Sequence, residues 1–163
     1  GPLGILLCAV AGFLCHSPQS SLADYYRQIH LYFLLGKKGS ELDDSASQRA
    51  IYDSLPRKGA FWAHKFYYNY AFQQFYKCLR ARYQSVEDMP RQLRDDFRRG
   101  SLPLMKYANL LTFNSRAILI YVTCLLNVPY VYPLVEIVVF TAMYRYMRSR
   151  HEQLCLGLSH RYC

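Results

Sequence analysis

The chain has 163 residues, enough for one domain with a sizeable core. Its mean hydropathy of −0.08 excludes a bundle of membrane helices from end to end. Twenty Lys and Arg against eleven Asp and Glu give a formal charge of +9, which favours anionic lipid, acidic protein or nucleic acid as a neighbour. Sixteen Tyr and nine Phe, with one Trp, suit interfaces between protein and protein or between protein and lipid.

The pattern is all-α and membrane-associated: amphipathic helices followed by a C-terminal helical hairpin that crosses the membrane. Residues 1–19 form an apolar N-terminal segment whose core, "LGILLCAVAGFLC", is shorter than the roughly 20 residues of a helical span. It reads as a signal-like stretch without a charged start, as part of a trimmed span, or as a helix covered by partners. Gly1 in place of an initiator Met reads as processing, truncation or the remnant of a tag.

Residues 20–100 carry the amphipathic helices. Ser21 and Asp24 have capping-box spacing. Leu22, Tyr26, Ile29 and Phe33 then recur at helical intervals, and Gly36 is a natural stop. The polar run from Gly36 to Arg49 is a loop, with a short helix before Pro56. In "AFWAHKFYYNYAFQQFYKCLRARYQ", the residues Lys65, Asn69, Gln73, Lys77 and Arg80 make one narrow polar stripe. Aromatics fill most of the remaining circumference, more than a small domain is expected to cover alone. Phe61, Trp62, Phe66, Tyr68 and Phe72 are therefore candidate partner contacts. The next helix follows Ser85, Asp88 and Pro90, has Leu93 and Phe97 as a thin apolar edge, and is expected to stop at Gly100.

Residues 101–150 hold the hairpin. Tyr107 to Asn127 would make roughly 31 Å of helix, and Pro133 to Met147 a shorter second arm. Pro129 and Pro133 mark the corner, because proline lacks an N–H donor and crowds the preceding turn. The corner is uncharged, whereas both open ends are basic, as membrane flanks tend to be. Tyr130, Tyr132, Tyr144 and Tyr146 fall where interfacial anchors belong. Arg94, Arg98, Arg99, Arg145 and Arg148 are candidate contacts to anionic headgroups such as cardiolipin. Measured from the prolines, Arg116 and Glu136 lie at different depths. Either Arg116 snorkels or each meets a group on another subunit, since an ionisable group at membrane depth is costly alone.

The tail, residues 151–163, contains His151, Cys155, His160 and Cys163, all of types that ligate zinc, but with no established finger spacing. The six cysteines are scattered and read as mainly reduced. Glu87, Asp88, Asp95 and Asp96 sit among arginines as surface pairs. No phosphate-cradling glycine loop, dinucleotide fingerprint or nucleophile elbow is present, so no catalytic residue, metal or cofactor is expected beyond bound phospholipid. Nucleic acid is not expected, because the aromatic segment reads as helix and not as a strand platform for bases. Basic charge and unpartnered aromatics resemble the supernumerary subunits of mitochondrial inner-membrane energy-converting complexes, such as respiratory complexes or ATP synthase. The resemblance implies a non-catalytic accessory role inside a larger membrane complex. The alternatives are a freestanding membrane-shaping or scaffold protein of the endoplasmic reticulum, and a small membrane enzyme built on His64 or the tail histidines.

Overall fold

The computed structural model describes residues 1–36, 50, 53, 54, 56 and 70–163, and the described residues are helical with no strand among them. Lys65, Asn69, His64 and the candidate contacts Phe61, Trp62, Phe66 and Tyr68 lie outside the described residues.

Helix α1 is one rod, Pro2–Leu35. Its segments are Pro2–Ala9, a π-helical stretch Val10–His16, and Ser17–Leu35. The apolar segment and the first amphipathic helix are thus continuous, and Ser21 and Asp24 do not cap a new helix. Asp24 instead accepts a hydrogen bond from Arg27 at 2.7 Å on the helix surface. Pro18 interrupts the ladder of helical bonds, and the widened π-helical turns immediately before it absorb that disturbance. At the other end Gly36 adopts φ +69° and closes the helix through its N–H to the Tyr32 carbonyl, as expected of a left-handed glycine stop.

Helix α2, Tyr70–Arg82, leads into a turn in which the Asp88 carboxylate accepts from the N–H and hydroxyl of Ser85. Helix α3, Arg91–Leu110, starts after Pro90 and runs through both Gly100 and Pro103. Gly100 is therefore a point of close approach, not a stop. A Cβ placed there would clash with Leu154 Cδ1 on the crossing helix. The break comes later, at Leu111 and Thr112, where Thr112 is extended and α4, Phe113–Leu125, leaves at 41° to α3. The Asn109 carbonyl, freed by the break, accepts from the N–H and hydroxyl of Thr112 and from Ser115 Oγ.

A corner follows at Leu126 to Tyr130, with Asn127 at φ +57°. Helix α5 then occupies residues 131–162 as Val131–Val135, a second π-helical stretch Glu136–Phe140, and Thr141–Tyr162. It begins before Pro133, which fits its first turn, where no intrahelical N–H is needed. The expected polar tail is the last part of this helix.

The core lies where α1, α2, α3 and α5 meet. Tyr26, Ile29, Phe33, Phe72, Phe75, Leu79, Leu93, Phe97 and Met147 are all enclosed there. Phe33 and Phe97 stack with centroids 4.1 Å apart, so the expected helical faces of α1 and α3 do meet each other. Cys78 and Cys163 are joined by a disulfide between residues 85 apart, which corrects the reading of both as reduced. A link of that span removes much chain freedom from the unfolded state. Arg82 reinforces the same junction by donating to the Tyr162 and Cys163 carbonyls at 2.8 and 2.9 Å.

Candidate functional site

Arg116, in the first turn of α4, is 1% exposed and Glu136, at the start of the π-helical stretch of α5, is fully buried. They meet. Arg116 Nε donates to both carboxylate oxygens of Glu136, at 3.0 and 2.9 Å. The expectation of separate depths fails for a geometric reason. Helix α5 begins near Tyr130 rather than at Pro133, which moves Glu136 farther from the corner, and the long arginine side chain closes the rest.

The remaining donors of Arg116 are also used. Nη2 donates to Gln19 Oε1 at 2.6 Å, and Nη1 to the carbonyls of Leu111 and Thr112 and to Ser20 Oγ. Those carbonyls are available because the helix breaks at Leu111. Gln19 Nε2 in turn donates to Thr141 Oγ1 at 3.0 Å, and Thr141 Oγ1 to the Glu136 carbonyl at 3.5 Å. The ring of Phe140 lies 5.1 Å from the guanidinium carbon, a cation–π contact. The cluster ties together α1, the break between α3 and α4, and α5. The π-helical stretches of α1 and α5 pack against each other beside it.

Burying two ions costs several kcal/mol each unless their attraction and hydrogen bonds replace water. Here the guanidinium has acceptors for all three of its nitrogens. His16 Nδ1 stands 4.0 Å from Glu136 Oε1 and makes no hydrogen bond among the described residues. What the arrangement can do chemically is hold three helices in register. The guanidinium has no free fork to offer a ligand. Sequence reasoning picked out Arg116 and Glu136 but missed His16, Gln19, Ser20 and Thr141, whose short polar side chains carry no spacing signal toward a site so distant in the chain.

The surroundings of this pair are apolar and open. On α1, Leu3, Ile5, Leu6, Phe13 and Leu14 are exposed. So are Phe113, Ile118, Tyr121 and Leu125 on α4, Leu126 and Tyr130 at the corner, and Leu134, Val138 and Val139 on α5. The one polar side chain buried within α4 beyond Arg116, Thr123, bonds to its own helix through the Ile120 carbonyl.

Among the headgroup candidates, Arg98, Arg99 and Arg145 are exposed, and Arg94 and Arg148 are half-buried. They stand on the parts of α3 and α5 that lie away from the corner. Phe72, expected against a partner, is enclosed by the chain's own core, as are Arg116 and Glu136. Asp96 accepts from Arg161 at 3.3 Å and from the Tyr162 hydroxyl at 2.9 Å.

The four tail residues do not form a metal centre: among the described residues no group of three such ligands comes together. Cys163 is in the disulfide, His160 is exposed, and His151 and Cys155 are buried side by side, with Nδ1 and Sγ 3.7 Å apart. His151 stacks on Tyr26 at 3.8 Å and is flanked by Phe72 and Phe97. Burial holds its pKa down to about 3, so the ring is neutral at physiological pH, and burial pushes the Cys155 thiol up. An inert thiol beside a neutral ring is a packed pair, not a nucleophile with its base. Compared with protein-family models, curated proteins and solved structures, the chain matches none.

Two outcomes follow from these sites. Arg116→Met should destabilise the protein by about 3–5 kcal/mol, because it leaves a buried carboxylate alone, and Glu136→Leu should cost a similar amount. The double variant should be more stable than either, when unfolding is followed in detergent. Additive losses would show that the pair is not coupled. For His151, the folded-state pKa lies below the unfolded value of 6.5, so the unfolded chain takes up more protons between pH 6.5 and about 3. Stability then falls as pH falls through that window, by about 2 kcal/mol at pH 5 relative to pH 7. The Glu152 pKa is raised by burial and tilts the balance the other way, so the comparison is made against His151→Phe. Denaturant titrations at both pH values should show a smaller acid loss in that variant; equal losses would refute the assignment.

Proposed function

We propose that the chain is a non-catalytic membrane subunit, an accessory helical component whose corner end sits in lipid and whose aromatic-cored end stands outside it. One observation carries the reading: exposed apolar side chains on α1, α4 and α5 surround a buried ion pair. A water-soluble helical protein distributes these groups the other way, and monomeric proteins rarely leave large contiguous apolar patches uncovered. Helix α1 is long and apolar enough to cross a membrane. In lipid the exposed leucines, isoleucines and valines are solvated by acyl chains, and the inward-facing ion pair follows the usual placement of intramembrane charge.

Membership of a larger complex, with a mitochondrial inner-membrane energy-converting complex as its setting, extends this reading and rests on the basic charge and the aromatic residues of the chain. Anionic phospholipid is the natural companion of its exposed arginines. A freestanding membrane-shaping protein is the second reading, favoured by the shortness of α4, Phe113–Leu125, against the length of a full span.

Alkaline carbonate extraction followed by native electrophoresis of detergent extracts tests both levels. The protein should stay with the membrane pellet and then migrate within a much larger assembly. Release by carbonate would overturn membrane embedding, and a monomeric band would overturn the accessory role in favour of the freestanding one.

A further inference from the structure

The contacts of the buried cluster place α1, α3 and α5 at a common level. Gln19 bonds Thr141 and Arg116, and Arg116 bonds the Leu111 carbonyl. From that level, charged side chains recur on all three helices at a similar distance toward the aromatic core. Asp24 and Arg27 lie there on α1, Lys106 on α3 and Arg145 on α5, the nearest of each roughly 6–8 Å along its helix. Tyr107 and Tyr146 meet beside them, with ring centroids 5.3 Å apart, and Lys106 Nζ lies 5.0 Å from the Tyr107 ring. Partly exposed charges with neighbouring tyrosines are what a membrane–water boundary selects.

In the opposite direction the chain leaves Arg116, turns the corner and returns to the same ion pair at Glu136. From Arg116 to Leu125 the arm of α4 reaches roughly 14 Å. Added to the interval between the cluster and the ring of charges, this puts the corner roughly 20–25 Å below that ring. The hydrocarbon core is about 30 Å thick. Helix α1 is different, since from Asp24 to Pro2 it extends roughly 33 Å. Its Pro2–Ala9 segment packs against Val131–Val135, beside the corner, and by length α1 exceeds the depth of the α4 arm.

The corner itself pairs most of its backbone donors within the chain. Five backbone donors in and just after it, at Leu126, Asn127, Val128, Val131 and Tyr132, bond to the carbonyls of Val122, Cys124, Thr123, Val128 and Pro129 respectively, whereas no such bond is made by the Tyr130 N–H among the described residues. Pro129 has no donor to satisfy. Irregular backbone persists at membrane depth only when its polar groups are paired within the protein. Leu125, Leu126 and Tyr130 meanwhile point outward, and the corner carries no charge.

We infer that the segment from Arg116 to Glu136 is a re-entrant loop: it enters the bilayer from the face that bears Lys106 and Arg145 and ends within the hydrocarbon, while α1 crosses completely. This rests on the membrane reading above and replaces the crossing hairpin expected from the sequence with an arm that stops short. The ligand of the corner is acyl chain, not the opposite headgroup layer.

Tryptophan depth measurements on the full chain in phosphatidylcholine–phosphatidylglycerol vesicles test it. With Trp62→Phe as background, single reporters are placed by Tyr130→Trp at the corner, Leu3→Trp near the start of α1 and Leu156→Trp at the aromatic-cored end, all at exposed positions. Iodide in both compartments should quench the reporters at 3 and 156 and spare that at 130. The reporter at 130 should instead be quenched by lipids brominated deep in the acyl chain. Quenching at 130 by iodide from the compartment opposite to the one that reaches 156 would mean a complete crossing and overturn the re-entrant loop alone. Quenching of 130 and 156 from the same compartment would overturn the loop and the embedding together.

Discussion

A buried guanidinium must find acceptors for donors that water can no longer reach, and much of this architecture follows from how Arg116 meets that demand. Its partners come from three places: the Glu136 carboxylate, Gln19, and the carbonyls of Leu111 and Thr112. The carbonyls are free because α3 ends and α4 starts anew at a bend. Glu136 is delivered by a π-helical stretch of α5, and Gln19 follows a π-helical stretch of α1. Departures from ideal helix thus gather around one cation. Such local irregularity needs surrounding interactions to hold it, and charge-assisted hydrogen bonds inside a low-dielectric shell are strong ones.

The same cluster separates two kinds of surface. On one side the exterior carries charged side chains, with Leu35, Leu102 and Leu156 exposed among them, and the interior is aromatic, with Tyr26, Phe33, Phe72, Phe97 and His151 in contact. On the other side the exterior is leucine, isoleucine, valine and phenylalanine. On the proposed reading, water lies outside the first and acyl chains lie outside the second, and the ring of charged side chains marks the boundary.

Much of this was legible in the sequence, and the failures have physical causes. The helical period of Leu22, Tyr26, Ile29 and Phe33 located a face that is buried throughout. The corner was found from its prolines, but an offset of a few residues in where α5 starts was enough to hide the ion pair. Gly100 looked like a helix end, yet glycine there serves the approach of Leu154, a contact that local sequence does not encode. The Cys78–Cys163 link and the roles of Gln19 and Thr141 depend on residues far apart in the chain, with no periodicity between them. The partner surface expected of the aromatic helix turned out, at Phe72, to be internal core, because α1, α3 and α5 converge on it.

On the proposed reading, the apolar exterior around Arg116 and Glu136 faces lipid. Spin labels attached through cysteines introduced at Ile118 and Val138, with Leu156 as reference, test it most directly in a reconstituted bilayer. Collisional relaxation by oxygen, which concentrates in hydrocarbon, should dominate at 118 and 138, while relaxation by a water-soluble nickel chelate should dominate at 156. Nickel dominance at 118 and 138 as well would place that surface in water and rule out its contact with lipid.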